Sequence, residues 1–444
     1  MSEIAPKFSR TTSPELPCRP QDNRAPKAAR RALRVLPGAV LFLFSFLTAG
    51  VCHAQNHDVI CRDGTGEFEA QSHSGVSVRV GAARSEGLAA RICEAEIGWA
   101  DQKLVVAPEA VQLDIDAFGV DMGLAAPVVA LQIKNAKADC CMVYDIYSLR
   151  APPTLLRTIS GGEFFSAADT DLVGRVEIWT DDARAVDGFE NMALRDLDFA
   201  PPLVLRFVRG RLLDVGIEFR PYYDQKIAEE RARLDPQDLA DFKNSDGRLT
   251  IASGIPAVRL VQLRKVKMRA LEIVWCYLYS GREKEALRVL GEMWPPADTT
   301  RIREALLNAR AHGIRSQVDG VSTTLPSVHA PKVQIYDGTV SVSTTPGLAP
   351  KGAKAKTEIT PPKAILMERP LPATDLEMEL AKTESTLELV IDSAGKVRSA
   401  DVIGAPQAID EGLIKSTASW KFIPAFNDGE PIASRILLGV SLKK

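Results

Sequence analysis

The C-terminal part of the chain contains the sequence Leu387-Glu388-Leu389-Val390-Ile391-Asp392-Ser393-Ala394-Gly395-Lys396-Val397. Leu387, Leu389 and Ile391 alternate with Glu388 and Asp392, which predicts a half-buried strand. The Asp-Ser-Ala-Gly segment predicts a turn, because Asp bonds its own backbone and Gly reaches positive φ. A second strand is expected from Lys396 to Ile403. The stretch as a whole therefore predicts a β-hairpin.

The residues after this hairpin predict a helix and one more strand. Apolar residues fall near helical spacing between Ala408 and Trp420, and two acidic residues stand in the first turn, where the helix dipole favours them. Pro424 ends any helix there. Asn427-Asp428-Gly429 predicts a turn, and Ala433 to Leu442 predicts the final strand. The expected order is strand, strand, helix, strand.

This order resembles the C-terminal domain of the TonB family. The match continues after the hairpin with Ser419-Trp420-Lys421-Phe422-Ile423-Pro424-Ala425 and with Asp428-Gly429-Glu430-Pro431-Ile432. The family patterns are V-x-I-D-x-x-G-x-V, W-x-F-x-P-A and D-G-x-P-V, in this order. The resemblance covers residues 361–444. It departs from the family at Arg369-Pro370-Leu371-Pro372, in place of a Tyr-Pro pair, and at Ser385-Thr386-Leu387, in place of Gly-x-Val.

The resemblance implies partner binding. An extended peptide from an outer-membrane transporter, or from another envelope protein, is expected to add as a strand to the edge of the small sheet. We expect the last strand, with Ile436, Leu438 and Val440, to offer that edge. A true energy transducer also needs an uncleaved anchor that meets an inner-membrane proton channel. The family anchor carries a Ser and a His one turn apart, whereas Ser45 and His53 are too far apart here, which argues against such coupling.

Composition limits the function classes. The chain has 444 residues, 45% of them hydrophobic, which suggests two to four domains with ordinary cores. The net charge of −2 argues against nucleic acid as a partner. No Cys-x-x-Cys, P-loop, Rossmann glycine pattern, His-Glu-x-x-His or Gly-x-Ser-x-Gly occurs, and there are only five histidines. We therefore expect no enzyme, and we assign no catalytic residue, cofactor or metal ligand.

Residues 1–54 have the order of an export signal. A basic region precedes a charge-free apolar run from Val35 to about Val51, and Cys52-His53-Ala54 follows. This predicts a signal peptide cleaved between Ala54 and Gln55, which places the protein in the periplasm. The alternative is an uncleaved single-pass inner-membrane anchor over residues 35–54, because about 17 apolar residues are the short end of a spanning helix. Both interpretations stay open.

Residues 55–250 predict a mostly β or α+β domain, with a sandwich as one form of it. Short β-like runs are separated by turn residues, for example Val76 to Val80 and Val128 to Ile133. In an oxidising compartment Cys61 and Cys93 are expected to form a disulfide, against the alternative of two unrelated buried thiols. The adjacent Cys140 and Cys141 are left without an assignment.

The segment from Ala168 to Trp179 has an acidic pattern. Asp169 and Asp171 stand at the first and third positions of a calcium-type loop with Gly174 at the sixth, but Val173 and Thr180 occupy positions that normally chelate. A hairpin turn is the preferred interpretation and a calcium site the alternative.

An enzyme is a further alternative, and it would use four of these acids as a carboxylate cluster. They are Asp169, Asp171, Asp181 and Asp182.

The remaining segments predict helices, a linker and the C-terminal domain. Residues 256–315 are amphipathic, and a helix pair at about 268–294 resembles one tetratricopeptide unit. A plain helical hairpin is the preferred interpretation, because one such unit cannot bury its own apolar face. Residues 316–372 are rich in Ser, Thr, Gly, Pro and Lys and predict a linker, with an isolated strand at Val333 to Val342. The TonB-like domain is expected at 373–444. The chain is thus expected to be a multidomain α+β protein.

Two main functions follow from these patterns. The first is a TonB-domain protein of the Gram-negative cell envelope that binds partners by strand addition, with coupling to outer-membrane transport as one possible use of that binding. The second is a periplasmic scaffold with no energy-transducing role, which the large N-terminal domain favours.

Overall fold

The computed structural model describes residues 59–83, 92–135, 140–192, 194, 199–250, 254–326, 335–342, 359–367, 385–403 and 413–440. The predicted signal peptide or anchor lies outside the described residues. Every described residue belongs to one compact unit. Among the helices in the described ranges, none is both long and apolar enough to cross a membrane. The protein has a mixed α+β fold with several sheets.

The first sheet has eight antiparallel strands in the order β2-β3-β4-β5-β6-β7-β8, with β1 paired to β5. These strands are β1 (Cys61–Arg62), β2 (Phe68–Gln71), β3 (Ser77–Ala82), β4 (Cys93–Trp99), β5 (Gln102–Val120), β6 (Val128–Asn135), β7 (Met142–Ser148) and β8 (Leu155–Gly162). The centre of the sheet is buried on both faces. Val129 and Leu131 contribute to one core, while Val128 and Ala130 contribute to the other, because successive side chains of a strand point to opposite faces.

The second sheet has five strands in the order β13-β12-β11-β10-β9. Its strands are β9 (Phe165–Ala168), β10 (Glu177–Asp181), β11 (Pro202–Val208), β12 (Arg211–Asp214) and β13 (Gly320–Val321). The β12–β13 pair is parallel and the other pairs are antiparallel. The acidic segment that follows β9 forms the connection between β9 and β10.

Six α-helices have their bounds in the described residues, in addition to four 3₁₀ turns and a helical segment at residues 413–416. The α-helices are α1 (Ala183–Val186), α2 (Arg220–Ala232), α3 (Pro236–Lys243), α4 (Ala257–Tyr279), α5 (Glu283–Met293) and α6 (Thr299–His312). The 3₁₀ turns are Phe189–Asn191, Gly216–Phe219, Ile314–Gln317 and Thr417–Ser419. Asp235 starts α3 as an N-cap, since its side chain accepts from the backbone N–H groups of Gln237 and Asp238.

The helices and the second sheet share one core. Trp275 of α4 and Leu290 of α5 belong to the same buried cluster as Leu203 and Leu205 of β11. The expected boundary between residues 55–250 and 256–315 is therefore not a boundary between cores. The pair α4–α5 is a helical hairpin that packs on the second sheet, as the preferred interpretation of this segment expected.

Nine strands lie in the described residues of the C-terminal part. They are β14 (Tyr336–Val342), β15 (Ile359–Thr360), β16 (Lys363–Leu366), β17 (Ser385–Ile391), β18 (Val397–Ile403), β19 (Lys421–Ile423), β20 (Ala425–Asn427), β21 (Glu430–Ile432) and β22 (Ser434–Val440). The main sheet has the order β14-β22-β17-β18. Trp420 and Leu413 lie in its core. The described residues contain the hairpin, a helical segment at residues 413–416 and the last strand, with three short strands between that segment and β22. Residues 408–412 of the predicted helix lie outside the described residues.

The segment 316–372 is not simply a linker. β14 pairs with β22, β15 pairs with β20, and β16 pairs with β19. The expectation of a linker over these residues is wrong for these three strands and for β13, which pairs with β12, and the strand expected at Val333 to Val342 is not isolated. Pairing uses backbone groups, so a composition rich in Lys and Pro did not reveal it.

Candidate functional site

The edge that was expected to bind a partner lies inside the sheet. β22 is flanked on one side by β17 and on the other by β14. Ile436 is 1% exposed and Leu438 is 2% exposed, and both side chains belong to the core of this sheet. Val440 is placed by its backbone, opposite Ser385 of β17. The prediction that these residues offer a free edge is wrong, because a strand from almost a hundred residues earlier covers it.

The covering strand contacts β22 in parallel and with an irregular register. Tyr336 lies opposite Ser434 and Asp337 opposite Arg435, but the next pair joins Ser341 to Leu437. Two extra residues of β14 therefore bulge between these pairs. The backbone N–H of Tyr336 donates to the carbonyl oxygen of Ala433 at 3.1 Å. This side of β22 thus accepts an extended segment through main-chain hydrogen bonds.

The turn of the β17–β18 hairpin is buried. Asp392 is fully buried, and its Oδ1 accepts from the backbone N–H groups of Ala394 and Lys396, both at 2.9 Å. Gly395 has φ of +86°, and a Cβ there would lie 1.8 Å from the carbonyl oxygen of Phe422. Only glycine fits this position. The Asp-x-x-Gly pattern is therefore a requirement of this turn.

The acidic loop after β9 holds this turn. The backbone N–H of Asp169 donates to Asp392 Oδ2 at 3.0 Å, and the hydroxyl of Ser393 donates to Asp169 Oδ2 at 2.8 Å. Asp169 also accepts from the N–H groups of Val173 and Gly174, at 2.9 and 2.8 Å. Both of its carboxylate oxygens thus have protein donors. The loop docks the hairpin rather than presenting free oxygens to a cation.

The contact between the C-terminal part and β5 buries two ion pairs. Lys396 Nζ lies 2.6 Å from Asp116 Oδ1, and Lys421 pairs with Asp114. Asp116 is fully buried as a side chain, and its Oδ2 accepts from the hydroxyl of Tyr144 at 2.6 Å and from the N–H of Ala167 at 2.7 Å. Charges buried in this way are costly unless paired, so these pairs fix where the C-terminal sheet sits on β5.

Burial governs the ionisation of the docked acids. Burial raises the pKa of Asp392 to about 6, and the nearby charge of Asp169 acts in the same direction. Burial also raises the pKa of Asp169, against the hydrogen bonds from Ser393 and the loop. Burial in the second sheet raises the pKa of Glu177 to about 7, in spite of its ion pair with Arg206.

The four acids of the enzyme alternative do not form one site. Asp169 and Asp171 lie in the loop before β10, whereas Asp181 ends that strand and Asp182 follows it. Asp182 is fully buried and accepts from the hydroxyl of Tyr279 at 2.6 Å. Within the described ranges, no group of three or more His, Cys, Asp or Glu residues could hold a metal ion.

A cavity of about 190 Å³ lies between the first sheet and the C-terminal part. His73 and Phe426 meet there edge to face, with ring centroids 4.9 Å apart. Other lining residues include Phe118, Pro361 and Pro424. The cavity is a gap along the contact between the first sheet and the C-terminal part.

The expected cysteine pair is joined. The sulfurs of Cys61 and Cys93 lie 2.01 Å apart, which links β1 to β4. Cys140 and Cys141, for which the sequence alone indicates no pairing, are bonded to each other. Cys276 is a buried thiol in α4.

The ion pairs of the docking contact have only a weak signal in the sequence. Asp114 and Asp116 stand two residues apart in β5, between apolar neighbours. Asp is depleted in strands, so two of them in one long strand could have signalled buried partners. Nothing in the sequence showed that Lys396 and Lys421 would be those partners, because they lie about three hundred residues further along the chain.

Comparisons of the chain with models of known protein families, with curated proteins and with solved structures gave no match.

Proposed function

We propose that this chain is a periplasmic protein of the Gram-negative cell envelope that binds partner proteins by strand addition to β22. The observation that carries the proposal is the pairing of β22 with β14, a segment remote in sequence that is held there as a parallel strand. The motifs shared with the TonB family support the same edge. The partner is the extended segment of an outer-membrane transporter or of another envelope protein.

Strand addition suits the chemistry of this edge. Backbone hydrogen bonds supply affinity, and side chains of alternate residues supply selectivity. The core beneath β22 is complete on the side of β17, where seven consecutive residues from Ser385 to Ile391 are paired with it. The edge therefore stays in place whether or not its outer side is occupied.

The scaffold function is favoured over energy transduction by the docking of the C-terminal part. An energy transducer extends its terminal domain away on a spacer, whereas here the Lys396–Asp116 pair and the Asp392–Asp169 contact hold the C-terminal sheet on β5 and on the acidic loop after β9. Retention of the N-terminal apolar segment in the inner membrane would restore the possibility of a proton-channel partner. Sequencing the N-terminus of the protein from soluble and membrane envelope fractions distinguishes the two, since a chain that begins near Gln55 has no anchor.

Site-specific photo-crosslinking in the native cell tests strand addition. The crosslinker replaces Arg435 on β22, and the matched control replaces Ile403, which is 49% exposed on β18 at the other end of the sheet. The β22 position is expected to form adducts with an extended segment of another envelope protein, and the β18 position is not. Adducts from β18 alone, or none with any other protein, would refute the proposal.

A further inference from the structure

We propose that β14 is an exchangeable occupant of the docking edge, so that a partner strand binds β22 only by displacing the segment Tyr336–Val342 of the chain itself. This inference rests on the proposed function, because it assumes that the covered edge of β22 is the binding edge. In the sequence, β14 lies between the helices and the rest of the C-terminal sheet. We call it a gate because it covers the edge of β22 until a partner strand displaces it.

The pairing of β14 is weaker than that of its neighbour. Four residues of β14 have partners on β22, with two bulged residues between them, whereas seven residues of β17 are paired without interruption. Parallel pairing is also slightly less stable per residue than antiparallel pairing, and a bulge disrupts the ladder locally. β14 is therefore the strand of this sheet that separates from β22 most easily.

The residues of β14 that favour a strand are interrupted by two adjacent ones that do not. The strand reads Tyr-Asp-Gly-Thr-Val-Ser-Val, and Asp337 and Gly338 belong to the residue types that are depleted in strands. Tyr336 is only half-buried. Main-chain hydrogen bonds such as the one from Tyr336 to Ala433 hold the segment. Any extended segment with a free backbone can make the same bonds, so the edge does not distinguish strongly between β14 and a competitor.

The covalent connection favours β14 over a competitor. A segment tethered by a short linker has an effective concentration on the order of 1 mM at its site. A partner strand of similar intrinsic affinity is therefore suppressed on the order of tenfold when that affinity is about 0.1 mM. The tether thus keeps the edge covered against weak competitors and leaves it open to a strand that pairs better.

Peptide binding to the full-length protein tests the gate. The probe is a fluorescent synthetic copy of residues 335–343, and the variant carries Tyr336→Pro and Ser341→Pro, which remove the backbone donors of two paired residues of β14. The control carries Ala353→Pro and Ala355→Pro in the same connecting segment. The β14 variant should bind the probe at least about tenfold more tightly than the wild type and the control, as measured by fluorescence anisotropy. Equal affinities, or no binding to any of the three, would overturn the proposal.

Hydrogen exchange on the wild type gives a second test that needs no variant. Saturating unlabelled peptide should increase amide exchange at Tyr336, while the amides of β17 keep their protection. Unchanged exchange at Tyr336 in the presence of bound peptide overturns the exchange mechanism.

The two proposals can fail separately. Adducts at Arg435 in cells without peptide exchange would show a partner close to β22 that does not add to it as a strand, and would remove the gate. Peptide exchange in vitro without adducts in cells leaves a removable strand but no partner.

Discussion

The substitution Lys396→Met is predicted to loosen the docking of the C-terminal sheet by about 3 kcal/mol. Lys396 is 13% exposed as a side chain, and Asp116 is fully buried beside it at 2.6 Å. Removing one partner of a buried pair typically costs about 3–5 kcal/mol, because the other charge remains buried. Asp116 keeps its bonds from Tyr144 and Ala167, so the lower end of this range applies.

Hydrogen exchange at the acidic loop measures this loss. The backbone N–H of Asp169 donates to Asp392 across the docking contact, so its exchange reports undocking without global unfolding. A loss of about 3 kcal/mol corresponds to a roughly hundredfold faster exchange of this amide. The matched control is Lys415→Met on an exposed helical position, where a change within about 0.5 kcal/mol is expected.

A double-mutant cycle isolates the pair itself. The variants are Lys396→Met, Asp116→Asn and their combination. Because the two side chains touch, the cycle should give a coupling of about 2 kcal/mol. If the Asp169 amide exchanges no faster in Lys396→Met than in Lys415→Met, or if the cycle is additive, the hairpin is not held by this pair and the reasoning fails.

Three further predictions concern stability. Burial raises the pKa of Asp392 to about 6 and of Glu177 to about 7, so the folded state binds protons more tightly than the unfolded state. The free energy of unfolding should therefore rise as pH falls from 8 to 5. A lower urea midpoint at pH 5 than at pH 8 would contradict this. Replacing Cys61 and Cys93 by Ser removes a disulfide between residues 32 positions apart and should lower the free energy of unfolding in urea by about 4 kcal/mol. A loss below about 1 kcal/mol would show that the disulfide constrains the unfolded chain little. Calcium at millimolar concentration should leave the melting temperature unchanged, because both oxygens of Asp169 have protein donors; a rise of more than about 2 °C would reveal binding.

Local patterns of the sequence predicted the hairpin well. The strand expected at Leu387 to Ile391 is β17, and the strand expected from Lys396 is β18, which starts one residue later. The turn between them depends on Asp392 and Gly395, whose roles follow from their own chemistry. Period-two alternation and turn residues act over a few positions, so the sequence carries them directly.

Pairing between distant strands was not predictable in the same way. The alternation in the last strand correctly places Ile436 and Leu438 on a buried face, but it says nothing about which strand lies beside them. The hydrogen bonds between β14 and β22 join backbone groups that every residue type possesses. The composition of residues 316–372 is typical of a spacer. A strand was expected at Val333 to Val342, but neither its pairing with β22 nor the strands β13, β15 and β16 could be read from the sequence.

The local roles of residues at the docking contact could be predicted from the sequence, but the distant residues that they contact could not. Asp169 was interpreted as part of a turn, with calcium as the alternative, and the turn interpretation agrees with its hydrogen bonds. That this turn binds Asp392, more than two hundred residues later, required the three-dimensional structure. The pairing of Lys396 with Asp116 was hidden for the same reason.

The parallel alignment of Tyr336–Val342 with Ser434–Val440 also has a consequence for the time course of biosynthesis. A polypeptide that is synthesised or exported from its N-terminal end releases the first of these strands long before the second. During that interval Tyr336–Val342 has no companion from its own chain, and contacts of such large sequence separation form slowly. Nascent molecules therefore pass through a period in which this strand is open to chaperones, proteases or another copy of the protein. The sheet closes only when residues 434–440 have emerged.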